Sequence, residues 1–260
     1  MLEADLDLLI SAAHEAGRIA TGFSGPEARA WHKPDGAGPV TEADLAVNEM
    51  LEDKLRSARP GYGWLSEESL DSRDRLAADR VFIVDPIDGT RSFIDGSNTW
   101  AHSLAVAEHG KVVAAAIYLP LRDKLYTAAI GKGAFLNGKP IRPSERGELQ
   151  GASLLVARPV MDAKHWHTAP PTVERGYRPS LAYRLALVAE GRYDGMLTIR
   201  PSWEWDVAAG DLILQEAGAV STDRTGAELR FNNPDPRVKG VVAAGPALHS
   251  QIAGALLPDG

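Results

Sequence analysis

The segment Val84-Asp85-Pro86-Ile87-Asp88-Gly89-Thr90 concentrates the chain's most reactive chemistry. Before it, Val81-Phe82-Ile83-Val84 contains no polar residue and reads as a buried strand. That strand runs straight into Asp85. Pro86 then breaks the ladder, Asp88 follows three positions after the first acid, and Gly89 lets backbone approach a ligand closely. Two carboxylates at the end of an apolar strand are costly unless something compensates them. Taken alone, the pair reads equally well as caps on a turn and a following helix. Two further segments carry acids. Trp64-Leu65-Ser66-Glu67-Glu68-Ser69 places paired glutamates after an apolar stretch, and in isolation reads as a solvated face. Trp203-Glu204-Trp205-Asp206-Val207-Ala208-Ala209-Gly210-Asp211 places acids among tryptophans at a helix start, and in isolation reads as a helix cap.

Found in one chain and in this order, these pieces resemble the inositol monophosphatase family of metal-dependent, often lithium-sensitive phosphomonoesterases. The resemblance rests on Pro39-Val40-Thr41-Glu42-Ala43-Asp44, Leu65-Ser66-Glu67-Glu68-Ser69, Asp85-Pro86-Ile87-Asp88-Gly89-Thr90, Gly131-Lys132-Gly133-Ala134-Phe135-Leu136-Asn137-Gly138 and Trp205-Asp206-Val207-Ala208-Ala209-Gly210, and spans roughly residues 33–220. It implies that Glu67, Asp85, Asp88 and Asp206, with the backbone carbonyl of Ile87, are metal ligands. Asp44 would sit near an additional, weaker metal position. The amides of Gly89 and Thr90 would hold phosphate oxygens, Glu67 and Thr90 would flank the attacking water, and Lys33 would be a basic residue near the site. The residue types agree: carboxylates without His or Cys suit a hard cation, so Mg²⁺ is expected over Zn²⁺, with two or three ions per site. Phosphate at a glycine turn that opens a helix meets free N–H groups. The expected reaction is direct in-line attack by metal-activated water, without a phosphoenzyme. Haloacid-dehalogenase-type chemistry needs two acids two positions apart, and Asp85 and Asp88 are three apart.

The second half of the chain should select the substrate. Many family members carry a Gly-Ser-x-Ala-Leu-like segment, where this chain reads Arg178-Pro179-Ser180-Leu181-Ala182-Tyr183-Arg184. Pro179 replaces the expected glycine, which weakens direct transfer of inositol-binding roles. After Thr90 comes Arg91-Ser92-Phe93-Ile94, and a basic residue there looks more like bacterial 3'(2'),5'-bisphosphate nucleotidases and some histidinol-phosphate phosphatases. Arg91, Ser180, Tyr183, Arg184 and Asp206 are the candidate substrate contacts. Surface charge and helix packing are the competing roles for Arg91, Tyr183 and Arg184. Inositol monophosphate and 3'-phosphoadenosine 5'-phosphate weigh about equally as substrates, with histidinol phosphate third. A reading of another class is an interaction protein on the same fold that acts on transcription machinery. His165-Trp166-His167 has no further ligands near in sequence and is expected to be an exposed loop. The six tryptophans are expected to be mostly core, with Trp203 and Trp205 as possible walls of the site.

The elements that must position these residues follow from periodicity. Leu6, Leu9, Ile10 and Ala13 mark an opening helix, and Glu3, Asp5 and Asp7 crowd its first turn. Thr41-Glu42-Ala43-Asp44 is a helix start of the capping-box type, with Val47, Met50, Leu51 and Leu55 as the apolar face. Strands are expected over 103–107, 112–119 and 125–129 as an antiparallel meander turning at His109-Gly110, then over 154–156, 195–199 and 241–244. Helices are expected over 181–190, 206–217 and 247–257. The sum is an α/β (α+β) chain, and the resemblance implies a layered αβαβα sandwich of the inositol monophosphatase and fructose-1,6-bisphosphatase type. A boundary is placed near 145, giving an N-terminal subdomain 1–145 with most metal ligands and a C-terminal subdomain 146–260 contributing Asp206 and substrate selectivity.

Composition bounds the partners. The 260 residues carry 28 Lys and Arg against 35 Asp and Glu, a net charge of −7, which argues against nonspecific nucleic-acid binding. With no cysteine, disulfides, thiolate nucleophiles and Cys-ligated metals are excluded. No apolar run approaches the roughly 20 residues of a membrane span, and the acidic first residues do not resemble a signal peptide. A cytoplasmic enzyme acting on a small-molecule phosphate ester, without membrane or nucleic-acid partners, is the expectation. Family resemblance adds a homodimer.

Overall fold

A computed structural model describes residues 2–23, 29–32 and 38–257, so Lys33 lies outside the described residues. Helix α1 (Leu2–Gly22) turns Leu9, Ala12, Ala13, Ala16 and Ala20 inward. Strands β1 (Ala30–His32) and β2 (Pro39–Thr41) form a short antiparallel pair leading into α2 (Glu42–Ala58). The expected capping box is present: the Thr41 hydroxyl accepts from the Asp44 amide while Asp44 accepts from the Thr41 backbone N–H.

The meander forms most of a seven-stranded sheet. Its members are β3 (Gly63–Ser66), β4 (Arg80–Asp88), β5 (Ala101–Glu108), β6 (Lys111–Leu119), β7 (Lys124–Ala129), β8 (Ala134–Leu136) and β9 (Lys139–Pro140), with the five-residue helix α3 (Thr90–Ile94) between β4 and β5. They lie in chain order; β3 runs parallel to β4 and the rest are antiparallel. His109 and Gly110, both at positive φ, make the β5–β6 turn, as the strand twist of a tight hairpin requires. Strand β4 departs from expectation: it continues through Pro86 to Asp88. The pairing with β5 shifts between Asp85 and Asp88, and in that bulge Pro86 owes the ladder no N–H.

The second half contributes β10 (Ser153–Val156), β11 (Glu174–Gly176), α4 (Leu181–Ala189), β12 (Gly195–Thr198), β13 (Ser202–Trp203), α5 (Glu204–Ala217), β14 (Val220–Thr222), β15 (Arg237–Val238), β16 (Val241–Ala244) and α6 (Pro246–Ala255). Its five-stranded sheet has the order β11-β10-β12-β16-β14, and β13 pairs with β15 separately.

Side-chain alternation along the strands sets the layers. On one face of the seven-stranded sheet Phe82, Val84, Leu104, Val106, Ala114 and Ala116 pack with α1 and α2. On the other, Val81, Ile83, Ala105, Ala107, Ala115 and Ile117 pack with α4 and α5, which also cover Leu155, Met196, Val241 and Ala243 of the second sheet. That sheet's far face, Leu154, Val156, Leu197, Val242 and Ala244, closes on Leu248 and Ile252 of α6. Helices, sheet, helices, sheet and helix are therefore stacked as an αβαβα sandwich.

The His165-Trp166-His167 segment departs from the expected exposed loop. His165 and Trp166 are buried, and the Trp166 indole donates to the Val160 carbonyl at 2.9 Å inside the α6-side core; His167 alone is exposed. A large apolar ring near a sheet edge gains more from burial than the loop's polar neighbours lose. Trp31 and Trp203, by contrast, are each 42% exposed.

Candidate functional site

Four elements deliver five acids to one place. Ser66 ends β3, and the following Glu67 extends the pairing, its amide donating to the Val84 carbonyl at 3.2 Å. The bulged end of β4 supplies Asp85 and Asp88. Asp206 stands in the first turn of α5, and Asp44 in the first turn of α2. Oxygen atoms of Glu67, Asp85 and Asp206 all lie within 4.8 Å of one another. Asp88 is felt electrostatically by both Asp85 and Asp206.

This concentration of negative charge is held in a dry setting. Asp85 and Asp88 are 1% and 6% exposed. Burial, then the charges of Glu67, Asp88, Asp206 and Asp44, push the Asp85 carboxyl well above its usual range. Burial, then Asp88 and Glu67, do the same to Asp206. Asp88 is raised to about 6 by burial, against hydrogen bonds from Ser180 and the Ala182 amide that favour its anion. Asp85 Oδ1 accepts from the Ile87 amide at 2.9 Å, whereas its buried Oδ2 has no hydrogen-bond donor. A buried carboxyl oxygen with no donor, set among other acids whose charges oppose its ionisation, calls for a cation. An all-oxygen donor set selects a hard one, so these residues fit Mg²⁺.

The turn after Asp88 serves a different ligand chemistry. Gly89 has φ +95°, and a Cβ there would meet Ser180 at 3.4 Å. It is the N-cap of α3, whose first amides lack intrahelical acceptors. The Thr90 hydroxyl lies 3.4 Å from Asp44 Oδ1 and 3.3 Å from the Ile87 carbonyl. Asp44 therefore faces Thr90 with one oxygen and caps α2 with the other, which accepts from the Thr41 amide at 2.8 Å.

Glu67, Gly89 and Thr90 line a cavity of about 550 Å³ whose wall also carries Arg91, Tyr177, Arg184 and Arg200. Three of the expected substrate contacts, Ser180, Tyr183 and Asp206, are not in its lining, and Asp206 stands instead with the acidic cluster. Tyr183 is buried in the core against Arg122, whose guanidinium lies 5.7 Å from the ring centroid. Ser180 is buried too, and its hydroxyl is given to Asp88. Arg91 and Arg184 do reach the wall. Trp203 and Trp205 stack on each other at 4.7 Å, and Trp205 packs against the core.

Several positioning residues were not legible as such. His102, buried on β5, bonds through Nδ1 to the Pro86 carbonyl, and burial lowers its pKa to about 4, so the ring is neutral and holds the back of the bulge. Ser103 donates to the Trp205 carbonyl at 2.9 Å and so ties the start of α5 to the sheet. Glu204, fully buried, accepts from the amides of Asn232 and Asn233 at 2.6 and 2.9 Å. Arg75 completes this clamp by donating to Asn232 Oδ1 at 2.7 Å. Polar residues at the start of an otherwise apolar strand, expected over 103–107, were the sequence signal for His102 and Ser103. No helix among the described residues is long and apolar enough to cross a membrane.

Comparison with known proteins agrees with this geometry. The family model described as "Inositol monophosphatase family" matches residues 1–258. An inositol-1-monophosphatase of Rhizobium meliloti (strain 1021) is 34% identical over 237 residues, covering 85% of this chain and 86% of the relative. The Nus factor SuhB of Escherichia coli (strain K12) is 34% identical over 234 residues, covering 85% of each. Among solved structures, an IMPase of Thermotoga maritima superposes with a TM-score of 0.81 at 28% identity, covering 96% of each chain.

Proposed function

We propose, because the chain belongs to the inositol monophosphatase family, that it hydrolyses the monoester of a small phosphate compound, inositol monophosphate or 3'-phosphoadenosine 5'-phosphate, with Mg²⁺ as cofactor. The observation that carries this reading is the convergence of Glu67, Asp85 and Asp206, with Asp85 Oδ2 buried and lacking a donor. Glu67, Asp85, Asp88, Asp206 and the Ile87 carbonyl would hold two ions, and Asp44 would stand near a third. When bound, magnesium supplies Lewis-acid activation of water and neutralises charge on phosphate oxygens.

The chain's own groups do the rest. Free amides at Gly89 and Thr90 orient the phosphate. The Thr90 hydroxyl, paired with Asp44, and the Glu67 carboxylate hold the attacking water in line and take up its proton. The bulge keeps the donors fixed, so little reorganisation accompanies reaction. Released product leaves through the arginine-lined mouth. The reading includes a cytoplasmic homodimer without nucleic-acid or membrane partners.

Phosphate release from inositol monophosphate, 3'-phosphoadenosine 5'-phosphate and histidinol phosphate, each with and without Mg²⁺, tests this. Turnover of none of them with Mg²⁺ would count against the catalytic reading. A second reading, an interaction protein acting on transcription machinery, is favoured by the Nus factor name of the Escherichia coli relative. Recovery of RNA polymerase components on the tagged protein, with no phosphatase turnover, would favour it instead.

A further inference from the structure

A single side-chain amide brackets the turn that carries Glu67. Asn48 lies on α2 one turn beyond Asp44 and is 8% exposed. Its Oδ1 accepts from the Ser66 hydroxyl at 2.6 Å, and its Nδ2 donates to Ser69 Oγ at 3.0 Å. The two serines stand on either side of Glu67 and Glu68. Neighbouring groups set the direction of these bonds. The Trp64 indole, which can only donate, reaches Ser69 Oγ at 3.0 Å, and the Ser69 hydroxyl donates to Glu52 Oε2 at 3.4 Å. Ser69 therefore has only acceptor capacity left for Asn48, so the amide presents its NH₂ group there and its carbonyl oxygen to Ser66. Ser66 Oγ in turn accepts from the Glu68 amide at 3.3 Å.

Apolar packing alone would join α2 to the sheet, since Val47, Leu51 and Leu55 share one core cluster with Phe82 and Val84. A buried amide adds little net stability over an apolar side chain of the same shape. Two directed bonds, however, fix a position that apolar contact leaves free to slide. The position fixed here is that of a short turn. The Glu67 amide is tied to the Val84 carbonyl, and the bracket holds the residues that follow. Spacing of four places Asp44, Asn48 and Glu52 on one face of α2. The helix that presents Asp44 to Thr90 thus also holds the turn that presents Glu67. Resting on the reading of Glu67 as a metal ligand, we propose that Asn48 is a positioning residue: its bonds to Ser66 and Ser69 set the Glu67 carboxylate against Asp85 and Asp206 and thereby raise the affinity of the cluster for Mg²⁺.

The test titrates Mg²⁺ into the full chain by calorimetry, which needs no turnover, and follows phosphate release alongside. Asn48→Leu keeps the bulk of the side chain and loses both bonds. Its Mg²⁺ dissociation constant should rise about tenfold or more, as loss of a partner that orients a metal ligand does. KM for the ester at saturating Mg²⁺ should stay near the parent's, because Gly89 and Thr90 are untouched. Ser69→Ala opens one side of the bracket and should weaken Mg²⁺ binding in the same direction. Combined with Asn48→Leu it should add less than its separate effect, since the two residues act through one bond. Leu55→Ala, a buried apolar position on the same helix, serves as the control for loosening of the fold. It should lower the urea midpoint and leave the Mg²⁺ dissociation constant unchanged. Parent-like Mg²⁺ binding in Asn48→Leu overturns the proposal, as does equal weakening in Leu55→Ala. Should Asn48→Leu fail to fold, Ser69→Ala decides, and parent-like Mg²⁺ binding there overturns the proposal. Weakened binding in Asn48→Leu, in a protein that binds Mg²⁺ but hydrolyses no ester, leaves the bracket standing and counts against the phosphatase reading alone. A parent chain that takes up no Mg²⁺ overturns both.

Discussion

Ser180 donates its hydroxyl to Asp88 Oδ2 at 2.6 Å across 92 positions of sequence, and the Ser180 Oγ itself accepts from the Tyr183 amide at the start of α4. One side chain thus caps a helix in the second half of the chain and holds a carboxylate at the end of a strand in the first. The Ala182 amide reaches the same Asp88 oxygen at 2.6 Å. These bonds favour the anion and oppose the burial that raises its pKa to about 6.

Removing that link should loosen the site and the fold together. Ser180→Ala leaves a buried carboxylate short of one donor and α4 without its cap, a loss of about 1–3 kcal/mol. The Mg²⁺ concentration for half-maximal phosphate release should rise several-fold. Unchanged urea midpoint and unchanged Mg²⁺ dependence would show that the bond carries neither role.

Asp85→Asn should reduce phosphate release to the uncatalysed background while circular dichroism stays native. The sign of its stability effect depends on metal. A carboxyl whose folded pKa lies above its unfolded value weakens the fold as pH rises past the unfolded pKa, so the metal-free cluster is destabilising at neutral pH. In chelator, Asp85→Asn should therefore melt higher than the parent chain. Added Mg²⁺ should raise the parent's melting temperature more than the variant's, since ligands that bind only the folded state stabilise it. Near-normal Mg²⁺-dependent activity in the variant would contradict the assignment.

The Glu204–Arg75 clamp lies outside the cavity but just before Asp206. Glu204→Gln places an N–H₂ where the Asn232 and Asn233 amides need acceptors. The expected cost is about 2–4 kcal/mol in denaturant unfolding. Because α5 then loses its anchor, kcat should fall more than KM rises. A variant that is destabilised yet keeps its full kcat would make the clamp purely structural.

Asp211 on α5 offers a pH test away from the metal cluster. Burial raises it to about 6, against hydrogen bonds from Ser221 and from Gln215, the latter at 2.8 Å. The folded state holds this proton more tightly than the unfolded chain does. Its contribution is therefore most favourable below about pH 4, falls as pH rises towards 6, and is constant above, a span of up to about 3 kcal/mol. Asp211→Asn should remove that decline, and the gap in unfolding free energy between variant and parent should widen from pH 4 to pH 6 in favour of the variant. A gap that is flat with pH would show that Asp211 is ionised alike in both states.

Much of this protein was already decided along the chain. Short apolar runs ending at Gly or Asn turns defined the meander and the Thr41–Asp44 pair defined the start of α2, local properties set by periodicity and by the residue types flanking each position. The ligand roles of Glu67, Asp85, Asp88 and Asp206 came instead from the family resemblance of several segments together, since each segment alone also read as a cap or a solvated face. Which side of a helix faces a cavity is not local. Tyr183 and Arg184 are adjacent, yet packing of α4 against both sheets buries the first in the core and turns the second to the cavity wall. The same holds for Trp166, drawn inward by a core that α6 completes from a distant part of the sequence. Partners such as Ser180 for Asp88, His102 for Pro86 and Arg75 for Asn232 join residues far apart, and only the closing of the layers brings donor and acceptor within reach.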